Sequence, residues 1–429
     1  MKIAVFGLWH LGVVTAAALA KAGIEVIAYD PDSLVINELK KNKAPLYEPG
    51  LNELIAEGVQ SKQLTFVSEP GTLSTVDFIW VTFDTPVDNN DIADVESVIT
   101  QIKAILPFVA KETLILISSQ LPVGSTKKLS IYCKEQYFDK NITFGFSPEN
   151  LRLGKAIEVF THPERIIVGI EQEKDKTRIA LLLNRFSANI IWMSIESAEM
   201  TKHALNAFLA TSVVFINEIA TLCEKVGANA ADVELGLKSE SRIGPKAYLK
   251  PGHAIAGGTL ARDVNYLIEM GHKTQSNIPL INSLPISNLS HQQWSLKRIT
   301  DILNPLKNKT IAVLGLAYKA GTDTLRRSSA IEACIWLKEQ GMSVLAYDPK
   351  VKSLPETMHF IQLKNTLQDA LYNVDAILVA TDLPELQMLT ADILLKNSKQ
   401  PAVFDAGGAL LKIFSNDKRI RYFSVGYQP

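Results

Sequence analysis

The chain has few cysteines and almost no net charge. It contains three cysteines in 429 residues, and its 44 basic side chains face 45 acidic ones. Cys133, Cys223 and Cys334 share no metal-ligand spacing, which argues against a disulfide framework or a metal site and favours reduced, buried thiols in a cytoplasmic protein. Balanced charge without a basic run predicts no nucleic-acid partner. The length favours two or three domains.

The chain also lacks an uninterrupted N-terminal apolar run. Residues 3–20 are apolar, but a Gly-Leu-Trp-His-Leu-Gly turn splits them and the segment GIEVIAYDP (23–31) follows. The same layout returns as TIAVLGLAY (310–318) and GMSVLAYDP (341–349). A cleaved leader would have no reason to be duplicated, so we expect neither a signal peptide nor a membrane association. The repeat instead predicts two βαβ units, each opening its own doubly wound parallel sheet in an α/β protein.

Between these repeats, residues 196–227 carry apolar side chains at helical spacing. The pattern predicts one long buried helix that connects two lobes, capped by Ser194 or Ser197 and ended by Gly227. Lys202 and Asn206 lie one turn apart and therefore on one face. A cation on a buried helix has either a functional or a structural role, and the sequence leaves both open for Lys202.

Other segments predict strands that end in polar loops. FIWVTFDTPV (78–87), TLILISSQLPVGST (113–126) and ITFGFSPENLRLG (142–154) have the apolar runs of buried parallel strands. Ligands bind beyond the carboxyl ends of such strands. The Gly- and Pro-rich segment 242–263 is predicted to be a functional loop, and a polar connector is expected around 272–290. The second lobe should start near residue 309.

The first repeat carries part of a dinucleotide fingerprint. Gly7 and Gly12 fill its first and third glycine positions, whereas Trp9 occupies the second. Asp30, at the end of the second predicted strand, would bond the ribose hydroxyls and disfavour a 2′-phosphate, or would only start the Asp-Pro turn. In this strand–turn–helix context we favour NAD binding.

Several ordered motifs resemble the UDP-glucose/GDP-mannose dehydrogenase family over nearly the whole chain. They are Ala44-Pro45 with Tyr47-Glu48-Pro49-Gly50-Leu51, Thr85-Pro86, Leu121-Pro122-Val123-Gly124, Pro148-Glu149 with Leu151-Arg152, Lys202 with Asn206, Arg242-Ile243-Gly244, Pro251-Gly252, Arg262-Asp263, and Tyr318-Lys319 with Thr322 and Arg326.

The resemblance implies an NAD domain (1–194), a central helical dimerisation domain (195–303) and a C-terminal nucleotide-sugar domain (304–429). It implies a homodimer that binds NAD and a nucleotide-diphosphate sugar, and oxidises a sugar alcohol. The implied catalytic residues are Lys202, Asn206, Asp263, Glu149 and, at the nucleophile position, Thr259. The implied cofactor contacts are Gly7, His10, Leu11, Gly12, Asp30, Thr82, Thr85, Pro86, Gln120 and Arg326, and the implied substrate contacts are Leu151, Arg242, Tyr248, Lys250 and Lys319.

The chain departs from this family where its second oxidation takes place. Thr259 replaces the nucleophilic cysteine, Gln120 a threonine and Leu153 a glutamate, and Asp405-Ala406-Gly407 replaces Asp-Gly-Arg. A hydroxyl without an adjacent base is a poor nucleophile. Three interpretations remain: a nucleotide-sugar dehydrogenase working by one oxidation or completing the acid without cysteine, a binding protein that has lost NAD, and a generic hydroxyacid dehydrogenase.

Overall fold

The computed structural model describes residues 2–86, 88, 93–149, 151–256, 258–325, 328–398 and 401–427. These residues form two compact units, 1–205 and 206–429, and the boundary lies inside one long helix. Each unit contains one sheet, so the duplication predicted from the sequence is confirmed.

The strands of the first unit are β1 Lys2–Phe6, β2 Glu25–Tyr29, β3 Leu64–Val67, β4 Phe78–Val81, β5 Leu114–Ile117, β6 Thr143–Phe146, β7 Ile166–Ile170 and β8 Ile190–Met193. Those of the second are β9 Thr310–Leu314, β10 Ser343–Tyr347, β11 Ile361–Leu363, β12 Ala376–Val379, β13 Ala402–Asp405 and β14 Arg421–Phe423.

The α-helices are α1 His10–Lys21, α2 Ser33–Leu39, α3 Leu51–Gln60, α4 Val95–Ile105, α5 Ser125–Gln136, α6 Ala156–Thr161, α7 Lys174–Leu183, α8 Ile195–Val226, α9 Ala230–Ser239, α10 Gly258–Lys273, α11 Pro279–Gln292, α12 Trp294–Leu303, α13 Ser329–Glu339, α14 Leu367–Leu371, α15 Ala391–Asn397 and α16 Leu411–Phe414. Short 3₁₀ helices occur at Pro70–Thr75, Leu106–Phe108, Phe138–Lys140, Glu356–Met358 and Pro384–Met388.

Both sheets have the strand order of a doubly wound fold. The first runs β3-β2-β1-β4-β5-β6-β7-β8 and the second β11-β10-β9-β12-β13-β14. Their central strands are apolar along their whole length because side chains on both faces are buried. The first sheet is not wholly parallel, since β7 pairs antiparallel with β6. Every other strand pair is parallel, as predicted.

The long helix α8 has the predicted ends. The Ser194 hydroxyl accepts a hydrogen bond from the Ser197 amide, and Gly227 follows the last turn with a φ of +76°. The prediction that this helix is buried was wrong for one face, because Phe208, Phe215 and Leu222 are exposed. The apolar period was read correctly, but it extends over more of the helix surface than the chain itself covers. By length and composition alone α8 could also span a membrane.

Two predicted loops contain helix. The connector expected around 272–290 is largely α11, which begins at Pro279 and keeps Pro285 inside it. Its polar and proline content hid the helix, although proline is well tolerated in a first turn. The end of the segment 242–263 belongs to α10, so Thr259 and Asp263 lie one turn apart on a helix and not in a loop.

Candidate active site

The turn between β1 and α1 can be built only with glycine at two positions. Gly7 has a φ of +95°, and a Cβ there would lie 2.8 Å from the Phe83 ring. A Cβ on Gly12 would lie 1.8 Å from the Gly7 carbonyl oxygen. The turn therefore brings the backbone and the start of α1 together more closely than any side chain allows, which is the arrangement that a dinucleotide pyrophosphate needs.

The first turn of α1 has no side-chain cap. Trp9 occupies the N-cap position and makes no capping hydrogen bond, and no acidic residue lies in the first turn. A helix start of this kind favours an anion. The Trp9 side chain is 46% exposed, so its ring does not pack into the core of the sheet. His10, the first helical residue, contacts the buried Glu48 carboxylate through Nε2 at 3.1 Å.

Asp30 and Thr82 hold this turn from two sides. The Asp30 carboxylate accepts hydrogen bonds from the amides of Leu8 (2.7 Å) and Asp32 (2.9 Å). Burial raises the pKa of Asp30, which these amide bonds partly oppose. The buried Thr82 hydroxyl donates to the Gly7 carbonyl at 2.8 Å. Both residues thus have a structural role, and their contact with a cofactor stays a prediction.

The loop after β5 presents a buried polar group toward the same edge of the sheet. The Ser119 hydroxyl is buried, and it has no hydrogen-bond partner within the described parts of the chain. The neighbouring Gln120 carbonyl accepts a bond from the Thr85 hydroxyl at 2.6 Å. An orphaned hydroxyl, a glycine cradle and an uncapped helix start together fit a bound dinucleotide. Of the other predicted cofactor contacts, Leu11 is buried, Pro86 is exposed and Arg326 lies outside the described residues.

Lys202 is buried in the first unit beside Glu149. Its Nζ donates to the Glu149 carbonyl oxygen at 2.5 Å and lies 3.9 Å from that residue's Oε1. The other Glu149 carboxylate oxygen accepts the Leu151 amide at 2.7 Å. The sequence predicted Lys202 and Glu149 as a site but not this direct contact. Leu151 itself packs on the apolar core.

Two more side chains of α8 were not predicted. Glu199, fully buried, accepts the amides of Gly124 and Thr126 at the start of α5, at 2.6 and 3.0 Å. Burial raises the Glu199 pKa, and the amide bonds lower it. His203 contacts the Leu121 carbonyl at 3.1 Å. Both tie the loop that carries Ser119 and Gln120 to α8. The available signal was the spacing of polar residues in an otherwise apolar helix.

Asn206 and Asp263 form the polar pair of the second unit. The Asn206 side-chain amide donates to Asp263 Oδ2, and Asp263 is 0% exposed. Asn206 follows Lys202 by one turn of α8. Thr259 is exposed in the first turn of α10, and within the described residues no base is hydrogen-bonded to its hydroxyl. The Asn206 amide is thus oriented by a buried carboxylate. Among the described residues, no base activates the Thr259 hydroxyl.

The second unit also contains a cavity of about 440 Å³ at the carboxyl ends of β9 and β12. Lys319 and Tyr318 line it together with Trp336, His253 and Asp382. Three predicted substrate contacts, Arg242, Tyr248 and Lys250, are exposed and do not line this cavity. Arg242 pairs with Glu240 at 3.1 Å.

Three family models match the chain in order. They describe the NAD binding domain (residues 1–187), the central domain (196–289) and the UDP binding domain (312–412) of the UDP-glucose/GDP-mannose dehydrogenase family.

Within the described residues, no group of three or more His, Cys, Asp or Glu side chains could hold a metal ion.

The chain is similar to two bacterial UDP-glucose 6-dehydrogenases over nearly its whole length. It is 31% identical to the UDP-glucose 6-dehydrogenase YwqF of Bacillus subtilis, covering 99% of this chain and 98% of the relative. It is 32% identical to TuaD, a UDP-glucose 6-dehydrogenase of the same organism, covering 94% of this chain and 88% of the relative.

Solved structures show the same fold. A UDP-glucose dehydrogenase from Pyrobaculum islandicum aligns with a TM-score of 0.86 at 24% identity, covering 100% of this chain and 98% of the other. A UDP-D-ManNAc dehydrogenase from Pyrococcus horikoshii aligns with a TM-score of 0.86 at 23% identity, covering 99% of both chains.

Proposed function

Because this chain belongs to the UDP-glucose/GDP-mannose dehydrogenase family and is an NAD-dependent UDP-sugar dehydrogenase, we propose that it oxidises its sugar alcohol once, to a carbonyl product. The observation that carries this proposal is a contrast between the residues expected to act in the first oxidation and the residue at the nucleophile position. The Lys202–Glu149 and Asn206–Asp263 contacts are formed, whereas Thr259 is exposed and has no hydrogen-bonded base among the residues that the structure describes.

The residues of the first oxidation have the chemistry that it requires. As the alcohol loses its proton and a hydride, negative charge develops on its oxygen. The Lys202 ammonium and the Asn206 amide, one turn apart on α8, are donors suited to that oxygen. Asp263 fixes the amide and can order a water, and Glu149 borders the reacting carbon. NAD supplies the hydride acceptor when bound. The balance is one carbonyl, one NADH and one proton.

The second oxidation has no equivalent support. It requires a nucleophile that adds to the carbonyl carbon before a second hydride leaves. Since the Thr259 hydroxyl has no hydrogen-bonded base among the described residues, its attack at neutral pH is slow compared with that of a partly ionised thiol. The two other interpretations from the sequence are not supported over this one, because the NAD and UDP binding domain models both match.

The number of NADH molecules per sugar tests the proposal. With UDP-glucose limiting and NAD in excess, we expect one NADH per sugar and a product that a hydrazine reagent traps. Two NADH per sugar together with a carboxylate product would contradict a single oxidation. Lys202→Ala, which removes the cation but leaves Thr259 intact, serves as the inactive control.

We also propose that two copies of the chain pair through α8, in the cytoplasm. Phe208, Phe215 and Leu222 follow one another at seven-residue spacing, so they lie on one face, and all three are exposed. The buried polar residues of α8, such as Glu199 and Lys202, contact other parts of the protein, which favours a protein-covered helix over a membrane span. In such an assembly Arg242, which is exposed and pairs with Glu240 in this chain, reaches the substrate site of the partner copy.

Light scattering at micromolar concentration tests the pairing. The mass of a dimer is expected for the unmodified protein and that of a monomer for Phe215→Glu, because a carboxylate cannot be buried in an apolar contact without a partner. A monomeric unmodified protein would contradict the proposal.

A further inference from the structure

The segment 251–256 is held in place at several points inside the second unit. The Gly252 amide donates to Asn217 Oδ1 at 2.9 Å, and the Asn217 side-chain amide donates to the His253 carbonyl at 3.3 Å. His291 Nε2 donates to the Gly252 carbonyl at 2.7 Å. Burial lowers the pKa of His291, so its ring is neutral with the proton on this nitrogen. The backbone that carries the His253 side chain is therefore fixed.

His253 and Asp382 form a pair on the wall of the cavity. His253 Nε2 lies 3.5 Å from Asp382 Oδ1, and the two side chains are 39% and 50% exposed. Both line the cavity of about 440 Å³. The contact with His253 is the main reason that the pKa of Asp382 is lowered, with a smaller effect of Lys250. The cavity thus presents an ionised carboxylate with an imidazole beside it.

The pair exists because residue 407 is glycine. A Cβ on Gly407 would lie 2.5 Å from His253 Nε2 and 2.8 Å from Asp382 Oδ1. Any larger residue, including the arginine expected there from the Asp-Gly-Arg pattern, would displace the imidazole. At this point the cavity wall therefore offers a hydrogen-bond acceptor where a cation was expected.

The charges along the cavity limit what Asp382 can contact. A phosphate is repelled by Asp382 and attracted by Lys319, which lies in the loop after β9 and lines the same cavity. The donors that a uridine diphosphate can offer to a carboxylate are the ribose hydroxyls and the imide N–H of the base. Tyr318 and Trp336 add aromatic surface suited to a nucleoside.

We propose that Asp382, positioned by His253, accepts a hydrogen bond from one of the nucleoside donors of the UDP-sugar, a ribose hydroxyl or the imide N–H of the base. Asp382 is the binding residue and His253 is the positioning residue. The inference rests on UDP-sugar binding by this chain, and it adds a contact that depends on Gly407.

Calorimetric titration with UDP and three analogues tests the contact. The analogues are 2′-deoxy-UDP, 3′-deoxy-UDP and N3-methyl-UDP, each lacking one donor. Asp382→Ala is expected to weaken UDP binding by roughly tenfold to a hundredfold, the effect of losing a hydrogen bond to a charged group. One analogue should bind the unmodified protein as weakly, and that analogue alone should lose nothing further in Asp382→Ala.

Asp301→Ala is the matched control, because Asp301 is an exposed carboxylate of α12 in the same unit and does not line the cavity. It should bind UDP and all three analogues as the unmodified protein does. His253→Ala should reduce the discrimination between UDP and the analogue that lacks the donor to Asp382. His253→Gln, whose amide can donate to Asp382, should restore part of this discrimination.

Two results would overturn the inference in distinguishable ways. In the first, the unmodified protein binds UDP, and Asp382→Ala discriminates among the analogues to the same extent as the unmodified protein. Asp382 then makes no nucleoside contact, and the proposed function is unaffected. If the unmodified protein binds no UDP at millimolar concentration, UDP-sugar binding itself fails and the inference falls with it.

Discussion

The two sheets of this protein begin with the same turn but start their first helices differently. Gly7 and Gly315 have φ values of +95° and +87°. The carboxylates of Asp30 and Asp348 accept the amides of Leu8 and Leu316, at 2.7 and 2.8 Å. This shared device fixes the first strand to the second, and it carries no information about which sheet binds a dinucleotide.

The helix starts separate the two turns. In the first sheet α1 begins at His10 without a side-chain cap. In the second, α13 begins only at Ser329, and the Ser328 hydroxyl accepts the Ala330 amide while donating to the Leu316 carbonyl. An uncapped helix start is available to a phosphate, whereas a capped one is already satisfied. The longer loop of the second sheet instead carries Tyr318 and Lys319 to the cavity.

The largest expected effect compares a lysine of the first unit, expected to act in catalysis, with a lysine of the second unit, expected to bind the substrate. Lys202→Ala should lower kcat by about 10²–10³, because the developing oxyanion loses its cation. Lys319→Ala should instead raise KM for the UDP-sugar by roughly tenfold with a smaller change in kcat, since it removes the cation that we expect to contact the diphosphate. Steady-state kinetics of the two variants checks this, and equal effects on kcat would contradict the division.

The next prediction breaks the turn of the first sheet alone. Gly12→Ala places a Cβ against the Gly7 carbonyl, so NAD affinity should fall by about tenfold or more while UDP affinity is retained. Gly71→Ala is the control, because a Cβ there meets nothing within 4 Å. Thermal-shift titration with NAD and with UDP measures both, and unchanged NAD binding in Gly12→Ala would argue against a cofactor site at this turn.

A smaller effect is expected from Trp9, the residue that makes the first turn unusual. NAD should bind the unmodified protein. Trp9→Gly should raise the affinity for NAD by less than about tenfold, because the substitution removes a half-exposed ring from the start of α1. UDP affinity should not change. If millimolar NAD does not shift the melting temperature of the unmodified protein while a UDP-sugar does, the enzyme interpretation is lost.

The smallest expected effect concerns the cap of the second sheet. Ser328→Ala removes the cap of α13 and should cost about 1 kcal/mol locally. Amide hydrogen exchange in the first turn of α13 should become faster. Trp9→Ala is the counterpart without a cap to lose, so exchange in α1 should stay the same. Equal changes in both helices would mean that Ser328 does not distinguish the two turns.

Much of the fold could be predicted because its signals are local. The repeated Gly-Leu and Ala-Tyr-Asp-Pro segments identified both sheets, and Ser194 and Gly227 marked the ends of α8 as the structure has them. The strands β3, β11 and β14 were missed because each contains an exposed residue and so lacks the uninterrupted apolar run of the central strands. The helix α11 was missed because Pro285 interrupts its pattern.

The site was predicted by residue type more than by contact. Lys202, Glu149, Asn206 and Asp263 were identified from the resemblance, but only the structure shows which of them meet. Glu199 was overlooked because a single acid in a helix looks like a solvent-exposed residue, whereas it is fully buried against the start of α5.

The sequence by itself determined the turns, the periods and the order of the elements. A glycine with positive φ, a capping serine or an apolar repeat acts within a few residues, so its effect can be read from neighbours in the chain. The tertiary structure decided which face of α8 stays uncovered and which side chains meet at the cavity. His253, Asp382 and Gly407 are far apart in sequence, and their contact arises only because strand ends β12 and β13 and the segment 251–256 converge, since burial and charge pairing depend on neighbours in space.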